Sequence, residues 1–431
     1  MALCKKTEGN MTELENVNRR DFLRGVTLTS LGMAVAAEEI LISEASAQDA
    51  PAGAPVTCAV IGLGPRGREI LASLAKVPGA PVAAICDTYT SPAYIKRSTD
   101  IVASAAVQTD YRKVLESKDI QAVFVATPSH LHKQIVLDAL AAGKHVYCEA
   151  PLASSIEDAK AIATAAGGAK TIFQTGLQYR ANKMHNHVRN FLGDMGKPTA
   201  GRAQWRRKTT WKAAAPTPER EREQSWRLFK ASSLGLPGEV GIHQFDMFCW
   251  YLKALPVAVT AMGGVMARGG DGMEVPDTMQ AVLEFPGGLR VAYDATITNS
   301  FDGAFETLLG PNFAMLIRDQ RGWMFKETDS PLLGWEVYAR KDKLGDETGI
   351  ALVADATKLI SQGKEPGKVG ADLTKTALYQ SVDAFLGSVR TNKKPAADAL
   401  VGYQANVLAA KVQEAALAGG RVELPADVFN L

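Results

Sequence analysis

Short apolar runs and helically spaced apolar residues alternate over residues 56–175. Val56–Ile61 reads as a short, mainly apolar strand, and Ile70, Leu71 and Leu74 then fall on one face of a helix. Val82–Cys86 is a second strand and Ala122–Ala126 a third. A helix carrying Ile135, Val136, Leu137 and Leu140 ends at Gly143, and Lys144–Cys148 and Thr171–Thr175 read as further strands. Buried strands separated by amphipathic helices predict a parallel sheet covered on both faces.

The pattern changes at Gly176. Residues 180–193 look helical, and 202–230 are rich in Arg, Lys, Glu and Trp around a Pro-containing loop at 214–218. Apolar and polar residues then alternate through Val257–Val265, Met279–Phe285, Leu289–Thr298, Phe305–Leu309 and Phe313–Ile317. With a Gly-Gly turn at 287–288 this predicts an antiparallel meander. Leu378, Val382, Phe385 and Val389 mark a helix, and 398–418 a last one. The expected class is α/β: a parallel-sheet domain over 55–175, then an α+β domain over 176–431 with a large open, mainly antiparallel sheet. No internal repeat is visible.

Composition narrows the classes. In 431 residues, 46% hydrophobic and 22% charged content are globular values, enough for two cores. A net charge of +2 argues for neither nucleic acid nor a membrane surface as partner. Five cysteines make no disulfide framework in a chain this long, and Cys58, Cys86, Cys148 and Cys249 lie in apolar runs, as buried thiols do.

Residues 1–47 read as an export signal. Arg19-Arg20 followed by Phe22-Leu23 resembles the twin-arginine motif, and the apolar stretch behind it is too short for a stable span. Ala45-Ser46-Ala47 is a cleavage site, so the mature chain is expected to begin near Gln48, with 48–54 as linker, no stable membrane span and a place outside the inner membrane, in the periplasm. The twin-arginine machinery would be one partner. Such a route resembles one for cargo that folds, and often loads a cofactor, before translocation.

The first strand runs into Gly62-Leu63-Gly64-Pro65-Arg66-Gly67, a G-x-G-x-x-G turn opening a helix. Gly62 permits the tight turn, Gly64 lets the backbone approach a pyrophosphate, and Gly67 lets helix and strand pack closely. Pro65 and Arg66 line the same turn. Asp87 ends the second strand, where a carboxylate accepts from ribose hydroxyls and repels a 2′-phosphate. NAD is therefore expected ahead of NADP, although Lys96 and Arg97 follow closely and could serve a phosphate.

The order of that turn, the acidic strand end, Ala126-Thr127-Pro128 with His132, Ala142–Val146 and Glu149-Ala150-Pro151 resembles Gfo/Idh/MocA oxidoreductases. The likeness extends over most of 55–425 and is tightest over 56–152. It implies a Rossmann domain with Thr127, Pro128, His132 and Glu149 beside the dinucleotide, His132 also serving as a helix cap. It further implies a sugar, cyclitol or glycoside substrate and self-association through the open sheet. The family's usual motif is Glu-Lys-Pro, its lysine helping proton transfer. Ala150 stands in that place and can carry no proton. Three alternatives follow: another residue supplies the acid/base function, the reaction is a variant such as redox-assisted glycoside cleavage, or the chain only binds a cofactor or sugar.

Glu239, His243 and Asp246 stand at i, i+4 and i+7, sharing one face of a helix. The resemblance places His243 at the nicotinamide edge, with Glu239 where aspartate is usual. His243 could take a hydroxyl proton, Glu239 orient it, and Asp246 meet substrate. The trio could also ligate a metal, but no second ligand cluster appears and none is expected. Gln178, Tyr179 and Arg180 follow the last strand of the first domain: Tyr179 could donate a proton, and Gln178 and Arg180 bind substrate. Trp211 or Trp226 could stack on a sugar. The expected activity is oxidoreduction on a tightly bound, internally recycled dinucleotide; the alternative is a non-catalytic cofactor- or carbohydrate-binding protein.

Overall fold

The computed structural model describes residues 53–319, 321–334, 336, 339–352 and 375–431. The expected signal over 1–47, and the linker at 48–54 except its last two residues, lie outside them. Ala54–Leu431 forms one compact unit.

The first domain follows the expected alternation: β1 (Cys58–Ile61), α1 (Pro65–Leu74), β2 (Val82–Cys86), α2 (Pro92–Thr99), β3 (Ala106–Gln108), α3 (Tyr111–Glu116), β4 (Ala122–Val125), α4 (His132–Ala141), β5 (His145–Cys148), α5 (Ile156–Gly168) and β6 (Phe173–Thr175). The strands lie in the order β3-β2-β1-β4-β5-β6 and are parallel throughout. β1 and β4 are buried along their whole length, as strands covered on both faces must be. Strand order reverses between β1 and β4, and their carboxyl ends open the crevice where such sheets take ligands.

The second part contains α6 (Lys183–Arg189), β7 (Ala200–Arg206), α7 (Pro218–Gln224), α8 (Ile242–Leu252), β8 (Ala258–Gly264), β9 (Thr278–Glu284), β10 (Arg290–Thr296), β11 (Ala304–Leu309), β12 (Phe313–Arg318), β13 (Arg321–Lys326), β14 (Lys341–Leu344), β15 (Glu347–Leu352), α9 (Ala377–Thr391), α10 (Ala399–Ala418) and β16 (Arg421–Glu423). Its strands join in the order β14-β15-β13-β12-β11-β7-β10-β9-β8-β16 among the described residues. The five expected strands are present. The simple meander is corrected: β7, in the Arg-rich stretch, is inserted between β10 and β11 and runs parallel to β10. Gly201 explains how a helix closes over it, since a Cβ there would lie 2.9 Å from Val291 and 3.0 Å from Phe248 of α8.

The core of the first domain is completed from the far end of the chain. Phe385 of α9 packs edge-on against Phe124 at 5.3 Å and lies 5.7 Å from Tyr147, centroid to centroid. Arg390 donates to the carbonyls of Pro78 and Gly79. A division at residue 175 therefore describes chain order, while the packed core draws on both parts. No helix of the described residues is long and apolar enough to cross a membrane.

Candidate cofactor and substrate site

The turn after β1 is made by backbone sterics. Gly62 sits at φ +94, and a Cβ there would lie 2.7 Å from the backbone of Ala126 and Thr127. At Gly67 a Cβ would stand 1.9 Å from the Gly62 carbonyl oxygen, so only glycine lets α1 approach β1. Gly64 is different: a Cβ would meet nothing within 4 Å, so this side of the turn is open. α1 begins at Pro65, with no side-chain cap and no acidic residue in its first turn. Its first N–H groups and dipole are left for an anion, which fits a dinucleotide pyrophosphate. Asp87, half-buried at the end of β2, accepts from the Leu63 N–H at 2.8 Å, the Tyr89 N–H at 2.9 Å and the Tyr94 hydroxyl at 3.1 Å. Lys96, expected as a possible phosphate ligand, pairs instead with Asp100 on the exposed face of α2.

Beyond the turn lies a cavity of about 210 Å³, walled on one side by Arg66, Thr127, His132, Glu149 and Ala150 and on the other by Gln178, Trp226, Arg227, Glu239 and His243. Glu149 is buried, and Gly176 makes room for it: a Cβ there would lie 2.7 Å from a Glu149 oxygen. Burial raises the Glu149 pKa, and the Arg66 guanidinium, 2.9 Å away, opposes that rise. Arg66 also reaches Glu69 at 3.0 Å and donates to the Gln178 oxygen at 3.2 Å, bridging the two walls. The Thr127 hydroxyl is buried on the cavity wall without a partner among the described residues. His132 is neutral, its pKa lowered to about 4 by burial. Its ring lies 2.9 Å from the Thr127 carbonyl and 3.1 Å from that of Pro151, joining the loops after β4 and β5.

His243 faces this cavity with its Nδ1 buried and without a partner among the described residues. Burial, reinforced by the Arg66 charge, lowers its pKa to about 3, so the ring is neutral. Three expectations about its surroundings are corrected. Glu239 does not orient His243: its carboxylate accepts from Arg227 Nε at 2.8 Å and Ser233 Oγ at 3.0 Å. Residues Pro237–Gly241 form a π-helical turn, whose wider spacing breaks the i, i+4 alignment an α-helix would give. Arg180 and Asp246 do not reach for substrate but bind each other, Nε to Oδ2 at 2.8 Å and Nη2 to Oδ1 at 2.8 Å. A buried carboxylate needs such a partner. Tyr179 is no free proton donor either. It stacks on His185 at 4.1 Å between centroids, and its hydroxyl bonds to buried Glu306, which also accepts from Gln244 at 2.7 Å.

Gln178 and Trp226 line the cavity as expected, whereas Trp211 packs on the hydrophobic core. Two participants escaped the sequence: Arg227, hidden in a run of basic residues, and Glu306, an acidic residue in an otherwise ordinary strand. Among the described residues no group of three or more His, Cys, Asp or Glu side chains is placed to hold a metal ion.

Two family models match the chain. The oxidoreductase family NAD-binding Rossmann fold of Gfo/Idh/MocA proteins matches residues 56–177, and a Gfo/Idh/MocA C-terminal domain matches 186–308. Together they span more than half of the sequence. Levoglucosan dehydrogenase of Pseudarthrobacter phenanthrenivorans is 29% identical over 211 residues, covering 44% of this chain and 52% of that protein. The 1,5-anhydro-D-fructose reductase of Ensifer adhaerens is 28% identical over 196 residues, covering 45% of this chain and 55% of the relative. The 2,7-anhydro-N-acetylneuraminate hydratase of Escherichia coli K12 is 31% identical over 184 residues, 41% of this chain and 45% of that one. The chain thus spans about half the length of the curated relatives it matches. In fold it is similar to an oxidoreductase domain protein from Kribbella flavida, with TM-score 0.71 and 20% identity over 86% of this chain and all of that one. It is similar too to levoglucosan dehydrogenase in complex with NADH and levoglucosan, with TM-score 0.70 and 19% identity over 86% of this chain and 99% of the other. By both halves of its sequence, the chain belongs to the Gfo/Idh/MocA oxidoreductase family.

Proposed function

We propose that the protein oxidises or transiently oxidises a hydroxyl of a sugar, cyclitol or glycoside, using a resident nicotinamide dinucleotide, NAD ahead of NADP. The observation that carries this is one cavity lined both by Arg66, two residues beyond the open Gly64 position, and by a neutral histidine whose Nδ1 has no partner among the described residues. A bound nicotinamide would supply the two-electron acceptor at the reacting carbon. Gly64, the α1 N-terminus and Asp87 would hold the dinucleotide. His243 takes the hydroxyl proton as the C–O bond gains double-bond character, a role its neutral form allows across the ordinary pH range. Glu149, clamped by Arg66, fixes charge beside the reacting centre, and Ala150 leaves space there instead of an ammonium group. Trp226 and Arg227, the guanidinium carbon 4.3 Å from the ring centroid, line the pocket together, and Arg227 offers donors for sugar hydroxyls.

Residence of the cofactor rests on the leader. An exported chain meets no soluble nicotinamide pool, so net turnover needs a second substrate to restore the cofactor, or a reaction that returns the electrons to its own product. Arg19-Arg20 and Ala45-Ser46-Ala47 support export to the periplasm, and N-terminal sequencing of mature protein should begin near Gln48. Met262 and Val282, exposed on neighbouring strands β8 and β9, support self-association through the open sheet.

The test follows the near-ultraviolet absorbance of the bound nicotinamide while candidate sugars are added to native protein and to His243→Ala. Redox change in the wild type and none in His243→Ala, with nucleotide still bound, is expected. Nucleotide that stays inert toward all sugars would favour a binding protein.

A further inference from the structure

Residues 207–227 leave the end of β7 and return as Trp226 and Arg227 on the cavity wall. The segment is tied at both ends. Arg207 and Thr209 N–H groups donate to the carbonyls of Thr296 and Ile297, and Arg268 donates to the Thr209 carbonyl at 2.8 Å. On the return side the Ala213 N–H donates to Ser225 Oγ at 3.0 Å, and the Arg222 guanidinium lies 4.6 Å over the Phe229 ring.

Between these ties, α7 carries Arg220 across to the first domain. Its guanidinium carbon lies 4.2 Å from the Tyr89 ring centroid and 6.0 Å from that of Tyr94. Tyr89 and Tyr94 are the residues whose N–H and hydroxyl meet Asp87. Arg220 therefore sits at the end of β2 where the adenosine ribose is expected, although it belongs to another part of the chain. Its side chain is only 17% exposed, and one terminal nitrogen reaches Glu223 at 2.9 Å. Its Nε is buried and finds no acceptor among the described residues. Leaving such a donor unsatisfied is costly, and an acceptor on a ligand would remove that cost. The planar cation also stacks on aromatic faces better than an ammonium would. Ribose oxygens, phosphate oxygens and adenine nitrogens are acceptors of the right kind, and adenine offers a flat π face.

We infer that Arg220 binds the adenosine half of the dinucleotide, and that residues 207–227 form a clasp which slows its release. This deepens the function proposed above and rests on it. One segment then serves both ends of the cleft: Arg220 retains the cofactor, while Trp226 and Arg227 shape the substrate pocket. A cofactor carried through export needs a slow off-rate, which the clasp would supply without any contact to the reacting carbon.

The experiment loads full-length mature wild type, Arg220→Ala, Arg220→Gln and Arg220→Lys with NADH and follows its displacement by excess NAD through nicotinamide fluorescence, with thermal melting as the check on folding. Release from Arg220→Ala should be about tenfold faster or more, the scale of one lost charge-assisted hydrogen bond, with Arg220→Lys between it and wild type. Arg220→Gln, which keeps part of the aliphatic stem and loses the charge, reports the same effect if the alanine variant fails to fold. Reduced nicotinamide mononucleotide, which lacks the adenosine half, should bind wild type and variants alike. Unchanged NADH release from Arg220→Ala, or equal weakening of the mononucleotide, overturns the clasp and leaves the proposed function standing. Wild type that holds no NADH overturns both.

Discussion

The two walls of the cleft are built by different physics. On the first-domain side, the turn that would hold the dinucleotide is backbone, a glycine turn and the uncapped start of α1, with Asp87 fixed by two N–H groups and the Arg66–Glu149 pair beyond it. On the second-domain side it is side chains held by side chains: Arg227 by Glu239 on the cavity wall, and behind it Arg180 by Asp246 and Tyr179 by Glu306. At Gly62 and Gly67 the backbone tolerates no added carbon, because a Cβ there would press on the chain. A side-chain wall can be re-paired residue by residue, and so is where substrate choice can vary while the dinucleotide site stays constant. Ala150 lies on the first-domain wall and offers it only a methyl group.

The largest expected effect separates two glycines of one turn. Gly67→Ala should lower stability by roughly 2–4 kcal/mol, since its Cβ would press on a backbone oxygen that cannot rotate away, and nucleotide binding should vanish with it. Gly64→Ala should melt like wild type and lose only nucleotide affinity, because its Cβ enters open space. Equal melting losses in calorimetry would break the distinction between scaffold and cradle.

Next comes the side-chain wall. His243→Ala should lower the rate of cofactor reduction by roughly 10²–10⁴, as loss of a general base does, while the affinity for NAD measured by titration stays unchanged. A matching loss of affinity would make His243 part of the cofactor site. A smaller change is expected at Asp87. Asp87→Ala should weaken NAD binding by one to two orders of magnitude, roughly 1.5–3 kcal/mol, and NADP binding less. Equal losses in calorimetric titrations would remove Asp87 from the ribose.

The smallest effect concerns the buried network behind the site. Burial raises the Glu306 pKa to about 7, well above the ordinary carboxylate value of 4.5. The native state therefore keeps a proton that the unfolded chain has released, and stability falls as pH rises through that window. Glu306→Gln cannot ionise, so its melting temperature should match wild type near pH 4.5 and exceed it above pH 7. A constant difference across pH would show that Glu306 does not titrate there.

The same contrast explains what could be seen without coordinates. Gly62, Gly64, Gly67 and Asp87 were legible because backbone geometry restricts residue type locally, and strand–turn–helix context then confirms it. The strands from 257 to 317 were legible through alternation. The insertion of β7 was not, because its partners lie about 90 residues away and its arginines hide the inward-facing Gly201 and Ala203. Glu239 was placed beside His243 by an α-helical spacing that a π-helical turn replaces. Pairings such as Arg180–Asp246, 66 positions apart, leave no periodic trace. Packing of α9 into the first core was equally hidden, since its apolar stripe fits any covering surface.

The proposed activity depends on a dinucleotide that stays with the protein. The direct measurement is to purify the mature protein without added nucleotide, denature it, and assay the supernatant for NAD(H) and NADP(H). Close to one equivalent per chain, mostly NAD(H), is the predicted result. Protein that comes out free of nucleotide, yet turns over steadily only when nucleotide is added, would contradict it.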